Sequence, residues 1–106
     1  MNKEITAGSA GSRVAFNIWD YDETLLAVTD ISSLAYKIDN LTEGVEVRAS
    51  TAISPIVNSG TIQLEAADTA LQGTGLRETC RLCLLVNGAI WEGNTFYFDI
   101  VSRSCS

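Results

Sequence analysis

Three cysteines and one acidic stretch are the residues of this chain whose types and spacing could do chemistry. Cys80-x-x-Cys83 has the spacing of a zinc half-site or a redox dithiol. A structural zinc takes about four Cys or His ligands, yet the chain offers no His and only Cys105 besides the pair. A thioredoxin-type dithiol needs its first Cys at a helix N-terminus, where the thiolate is stabilised. Here the pair sits in the apolar run Thr79–Val86, which reads as a strand, so the two side chains point to opposite faces. They are expected to be buried small apolar thiols. The acidic stretch is Asp20-Tyr-Asp-Glu23. A calcium loop needs oxygen ligands at regular spacing closed by a bidentate carboxylate, and this stretch is far short of that. A solvated turn is the expectation.

The remaining inventory points away from catalysis. The absence of His removes the commonest general base. No glycine-rich phosphate loop or nucleophile elbow occurs. We therefore assign no catalytic, cofactor-binding or metal-ligating residue from the sequence and expect a protein that is not an enzyme. The net charge is −6, from 13 acidic and 7 basic side chains, which repels phosphate backbones and argues against a nucleic-acid partner. No apolar run reaches the roughly 20 residues of a membrane-spanning helix, so no membrane partner is expected. The first residues lack the apolar stretch of a secretory signal, so synthesis in the cytoplasm is the expected route.

The elements that would position any site read as short strands. Hydrophobic residues make up 46% and charged ones 19%, which suits one globular domain with a single core. Residues 1–12, rich in Gly, Ser, Ala and Thr, read as a flexible N-terminal arm or a loose first strand. Residues 13–106 read as the domain. Val14, Phe16 and Ile18 alternate with polar or small neighbours, as in a strand. Leu25 to Thr29 reads as a second strand or an ordered edge, and Leu34, Tyr36 and Ile38 set a third strand. Asn40 to Gly44 is a turn, Val45 to Ala49 alternates again, and Pro55 marks a loop or edge. Ile62, Leu64 and Ala66 share a face, and Ala67–Gln72 reads as one helical turn. Asn87-Gly88 between two long apolar runs predicts a type I′ hairpin, which needs positive φ at both residues. In its first arm Cys80, Leu82, Leu84 and Val86 share a face; in its second, Phe96, Phe98 and Ile100 do. About seven strands with turns every 8–12 residues predict an all-β, Ig-like antiparallel sandwich, with a jelly roll second.

Trp19, Leu85, Trp91 and Tyr97 fall opposite the better apolar stripes. If large apolar groups line both faces of a sheet, one face can meet another subunit, so these four form a possible partner interface. The only stretch with the aromatic and polar groups a glycan site needs is Trp91-Glu-Gly-Asn94.

The segment Leu34-Ala-Tyr-Lys-Ile-Asp-Asn-Leu-Thr-Glu-Gly44, the Ser54-Pro55 step, the run Gly60–Ala70 and the aromatic strand Thr95–Val101 follow one another in a familiar order. From about Val14 to Val101 this order resembles small Ig-like structural proteins of tailed bacteriophages, on capsid surfaces and in baseplates. The resemblance implies a non-catalytic virion component. Its leading form is a capsid decoration or cement protein bound to the major capsid protein. The alternatives are a head-tail connector or tail component, or a host-glycan-binding module. It implies other virion proteins as partners, with self-association possible, and the virion as location. The cysteines belong to no part of that pattern.

Overall fold

A computed structural model of the chain describes residues 3–20 and 22–102, the side chains of residues 92–94 aside. Seven strands form: β1 (Lys3–Thr6), β2 (Arg13–Asn17), β3 (Leu34–Asn40), β4 (Val45–Ala52), β5 (Ser59–Gln63), β6 (Arg77–Val86) and β7 (Ala89–Val101). They make a five-stranded sheet in the order β1-β7-β6-β3-β4 and a two-stranded sheet of β2 and β5. The fold is an all-β sandwich with Ig-like strand order. All pairs are antiparallel except β1 with β7.

The β6–β7 hairpin is the spine. Asn87 (φ 55°) and Gly88 (φ 84°) both lie in the left-handed region, as a type I′ turn requires. The inward stripe of β6 is the expected one: Cys80, Leu82, Leu84 and Val86 all enter the core, and Phe98 and Ile100 face them from β7. Val14, Phe16 and Ile18 close the core from the small sheet, with Ile62 and Leu64 beside them. Burying a side chain such as Phe98, fully enclosed here, contributes about 2–3 kcal/mol by removal of apolar surface from water.

One stretch differs from the sequence expectation, and a second decides between two readings. Leu25–Thr29 is not a strand. It holds a single bridge, Leu25 to Trp19, and leads into a 3-10 turn over Val28–Asp30. Within the stretch read as an arm or a loose first strand, Lys3–Thr6 is a strand: it pairs in register with Phe98–Val101, and Ile5 is in the core. One buried isoleucine in a Gly/Ser-rich context carries no period, so the sequence pattern shows only half of that segment. The helical turn read at Ala67–Gln72 is a 3-10 turn over Ala66–Thr69. No helix is long and apolar enough to cross a membrane among the described residues.

Candidate functional site

The loops at one end of the sandwich converge on the Asn87 side chain. Its Oδ1 accepts hydrogen bonds from the Ser32 backbone N–H (2.6 Å) and the Ser32 hydroxyl (2.9 Å). Its amide donates to the Asp30 carbonyl at 3.0 Å. The turn residue thereby straps the loop before β3 to the tip of the long hairpin. A second strap runs from the Trp91 indole N–H to the Trp19 carbonyl at 3.0 Å. Trp19 in turn bridges Leu25, and the Leu26 N–H bonds the Ile18 carbonyl at 2.8 Å. The segments so braced carry four exposed apolar side chains at this end: Trp19 (47% exposed), Leu25, Val28 and Ile90 (49% exposed). They make an apolar rim spread over more than one face, since Ile90 turns to the outer side of the large sheet beside Leu85.

Of the four residues read as an interface, Trp19 is exposed as expected, and Tyr97 is 45% exposed on the outer face of the large sheet. Leu85 is half-buried on that same outer face. Trp91 does not belong with them. It packs half-buried against the core. The cause is a bulge: between the pairs Cys83–Thr95 and Leu85–Ile90, β6 advances two residues and β7 five. The three extra residues reverse the alternation of β7, so Ile90 turns outward beside Leu85 and Trp91 inward. The glycan motif Trp91-Glu-Gly-Asn94 thus begins with a ring that is packed inward and whose N–H is already used. The side chains of residues 92–94 lie outside the described residues.

The chemistry-bearing residues are dispersed. Cys80 is fully buried in the core, and burial first, then the nearby Glu78 and Asp99 charges, push its thiol up to about 12. Cys83 is buried outside the core cluster, three positions along the same strand, so the two thiols are on opposite faces. Cys105 lies outside the described residues. Asp20, Asp22 and Glu23 form a turn as read, with Tyr21 outside the described residues. The Thr24 hydroxyl (2.6 Å) and backbone N–H (3.3 Å) bond the Asp22 carboxylate and hold its pKa below the ordinary value. Among the described residues no three His, Cys, Asp or Glu side chains converge as a metal site.

Sequence reasoning missed the buried polar groups at the opposite end. Glu78 is fully buried and accepts bonds from the Gln72 N–H (2.7 Å), the Gly73 N–H (2.8 Å) and the Asn40 side-chain amide (2.7 Å). Burial alone would raise its pKa, but these three donors outweigh it and leave the carboxyl below its ordinary value. Asp68, also fully buried, accepts from Arg48 Nε at 2.6 Å and from the Glu65 N–H at 2.8 Å. Arg48 lies 6.0 Å above the Tyr36 ring. A signal existed for one of them: counting back by two from Cys80, Leu82 and Leu84 puts Glu78 on the inward face. Comparison with known protein families, curated proteins and solved structures finds no match for the chain.

Proposed function

We propose that this protein is a non-catalytic virion structural module of a tailed bacteriophage, which holds neighbouring virion proteins rather than transforming a substrate. In the leading form it decorates the capsid by binding the major capsid protein; a head-tail or tail position is the alternative. The observation that carries the reading is the apolar rim. Trp19, Leu25, Val28 and Ile90 are each at least 40% exposed. All four sit on segments braced by side-chain and backbone bonds. A braced aromatic and aliphatic surface loses little conformational freedom on docking, which is what a durable protein interface requires.

The test is recovery of the protein in purified particles. Stoichiometric retention through a density gradient, reduced when Trp19→Ala removes the largest ring of the rim, is the expected result. Recovery only as free protein in the lysate, with none on intact particles, overturns the reading.

A further inference from the structure

We propose that Asn87-Gly88 is a site of spontaneous deamidation, a covalent change that the closed hairpin tip holds off and an opened tip admits. The proposal concerns the chemistry of the tip and stands whether or not the virion reading does.

The step needs no co-reactant but water. The Gly88 backbone nitrogen attacks Cγ of Asn87, and the Cγ–Nδ2 bond breaks. Nδ2 takes the proton that the Gly88 nitrogen gives up and leaves as ammonia, so a five-membered imide remains. Water then opens that ring at one of its two carbonyls. One opening gives aspartate. The other gives isoaspartate, whose main chain runs through Cγ and is one atom longer. Nothing is oxidised or reduced.

The position suits the attack. Of the six asparagines in the chain, only Asn87 precedes a glycine. A side chain on the following residue would crowd the attacking nitrogen, and Gly88 has none. Both residues are exposed, and no neighbouring atom lies within 4 Å of where a Gly88 side chain would begin. Water therefore reaches the tip.

The closed tip denies the attack in two ways. Ring closure needs Cβ and the Gly88 nitrogen nearly eclipsed about the Asn87 Cα–C bond. Asn87 (φ 55°) and Gly88 (φ 84°) are the central residues of a type I′ turn. Such a turn holds ψ of its first central residue at about +30°, which sets that nitrogen nearly opposite Cβ. The carboxamide is also tied down. Its Oδ1 accepts from the Ser33 N–H (3.3 Å) as well as from the Ser32 N–H and hydroxyl, and its Nδ2 donates to the Asp30 carbonyl. The Asn87 N–H adds a bond to the Ser33 carbonyl at 2.9 Å. Cγ cannot swing toward Gly88 while the strap holds. Local opening of a loop tip costs less than unfolding the whole domain, so the modification reports how often the strap parts.

Each product keeps the strap from closing as before. Aspartate has no amide hydrogen for the Asp30 carbonyl and sets an oxygen against it. Isoaspartate lengthens the chain between Val86 and Ala89, the pair that closes the hairpin. The change runs one way, because the ammonia is lost to solvent.

Peptide mapping by mass spectrometry of the full chain, incubated at mildly alkaline pH, decides it. In unfolding guanidinium chloride, Asn87 is expected to convert ahead of the other five asparagines. The folded wild type is expected to convert Asn87 at least about tenfold more slowly, since the strap must part first. Ser32→Ala removes one bond to Oδ1, so its folded form is expected to convert about fivefold faster than wild type, with equal rates when unfolded. Asn87→Asp is expected to keep the circular dichroism of the sandwich and to speed hydrogen exchange at the Ser32 and Ser33 amides. A folded wild type that converts as fast as the unfolded chain overturns the proposal. So does an Asn87 that stays intact in denaturant, a folded Ser32→Ala no faster than wild type, or an Asn87→Asp chain whose Ser32 and Ser33 amides exchange as slowly as before.

Discussion

The two sheets face the same core but are held in different ways. The five-stranded sheet is anchored by polar groups as well as apolar ones. Glu78 on β6 ties the loop at Gln72 and Gly73 to Asn40 on β3. Arg77 on the same strand ion-pairs with Glu4 on β1 and Asp99 on β7. The two-stranded sheet has no comparable carboxylate. It rests on Val14, Phe16, Ile18 and Ile62, and on ten backbone positions in one ladder. The difference teaches where this fold stores order: the large sheet is a cross-linked slab, and the small sheet is a lid laid over it.

That contrast can be broken from the heavy side first. Phe98→Ala, at a fully buried site in the slab, is expected to lose about 3–5 kcal/mol in urea unfolding, against about 1–2 kcal/mol for Val14→Ala in the lid. Equal losses would abolish the distinction. Glu78→Gln keeps the shape but sets its NH2 against a donor whichever way it lies, the Gly73 N–H at one oxygen position or the Gln72 N–H and Asn40 amide at the other, at a loss of about 2–4 kcal/mol. Asn87→Ala removes both a residue tolerant of positive φ and the strap to Ser32, with an expected loss of about 1–2 kcal/mol.

The pH limbs sharpen the same comparison. Glu78 is held below its unfolded value of 4.5, so its contribution is present above pH 4.5 and disappears as pH falls through its lower folded pKa. Cys80 runs the other way. Its folded pKa is raised from 9.0 to about 12, so its contribution is present below pH 9 and is lost as pH rises toward 12. Comparing stability against pH for Glu78→Gln and Cys80→Ala should flatten the acid limb in the first and the alkaline limb in the second. Both groups belong to the slab. The smallest expected effect is in the lid: the ladder bonds run from even-numbered residues of β2, so Ala15→Pro removes an N–H that β5 does not use and should change stability by no more than about 0.5 kcal/mol.

How much of this was legible depends on whether burial followed a period. The hairpin at Asn87-Gly88 and the inward stripe from Cys80 to Val86 are periodic over ten residues, so the sequence exposes them directly. β3 and β4 are legible for the same reason, joined by a turn whose Gly44 has positive φ. Leu25–Thr29 misleads as a strand because its pairing stops after one bridge: Leu25 faces Trp19, Leu26 bonds Ile18, and the chain then turns at Val28. β1 is legible only as one of two readings, arm or loose strand, because four residues in a Gly/Ser-rich context show one apolar position facing the core. Of the four interface residues, Trp91 is misplaced because alternation was carried through a bulge that no local residue type announces. The polar anchors Asn40 and Asp68 depend on partners 38 and 20 residues away in the chain, Glu78 and Arg48, and such pairing leaves no trace in a local pattern.

The three surplus residues in β7 impose an arithmetic on how this protein can vary. The turn at Asn87-Gly88 fixes Ile90 opposite Leu85, and the core fixes Thr95 opposite Cys83. A residue added or deleted between those two anchors enlarges or shrinks the bulge and leaves Ile90 outside and Trp91 within. Length in this stretch is therefore a free variable, whereas one residue more in either flanking ladder would turn a core side chain to solvent.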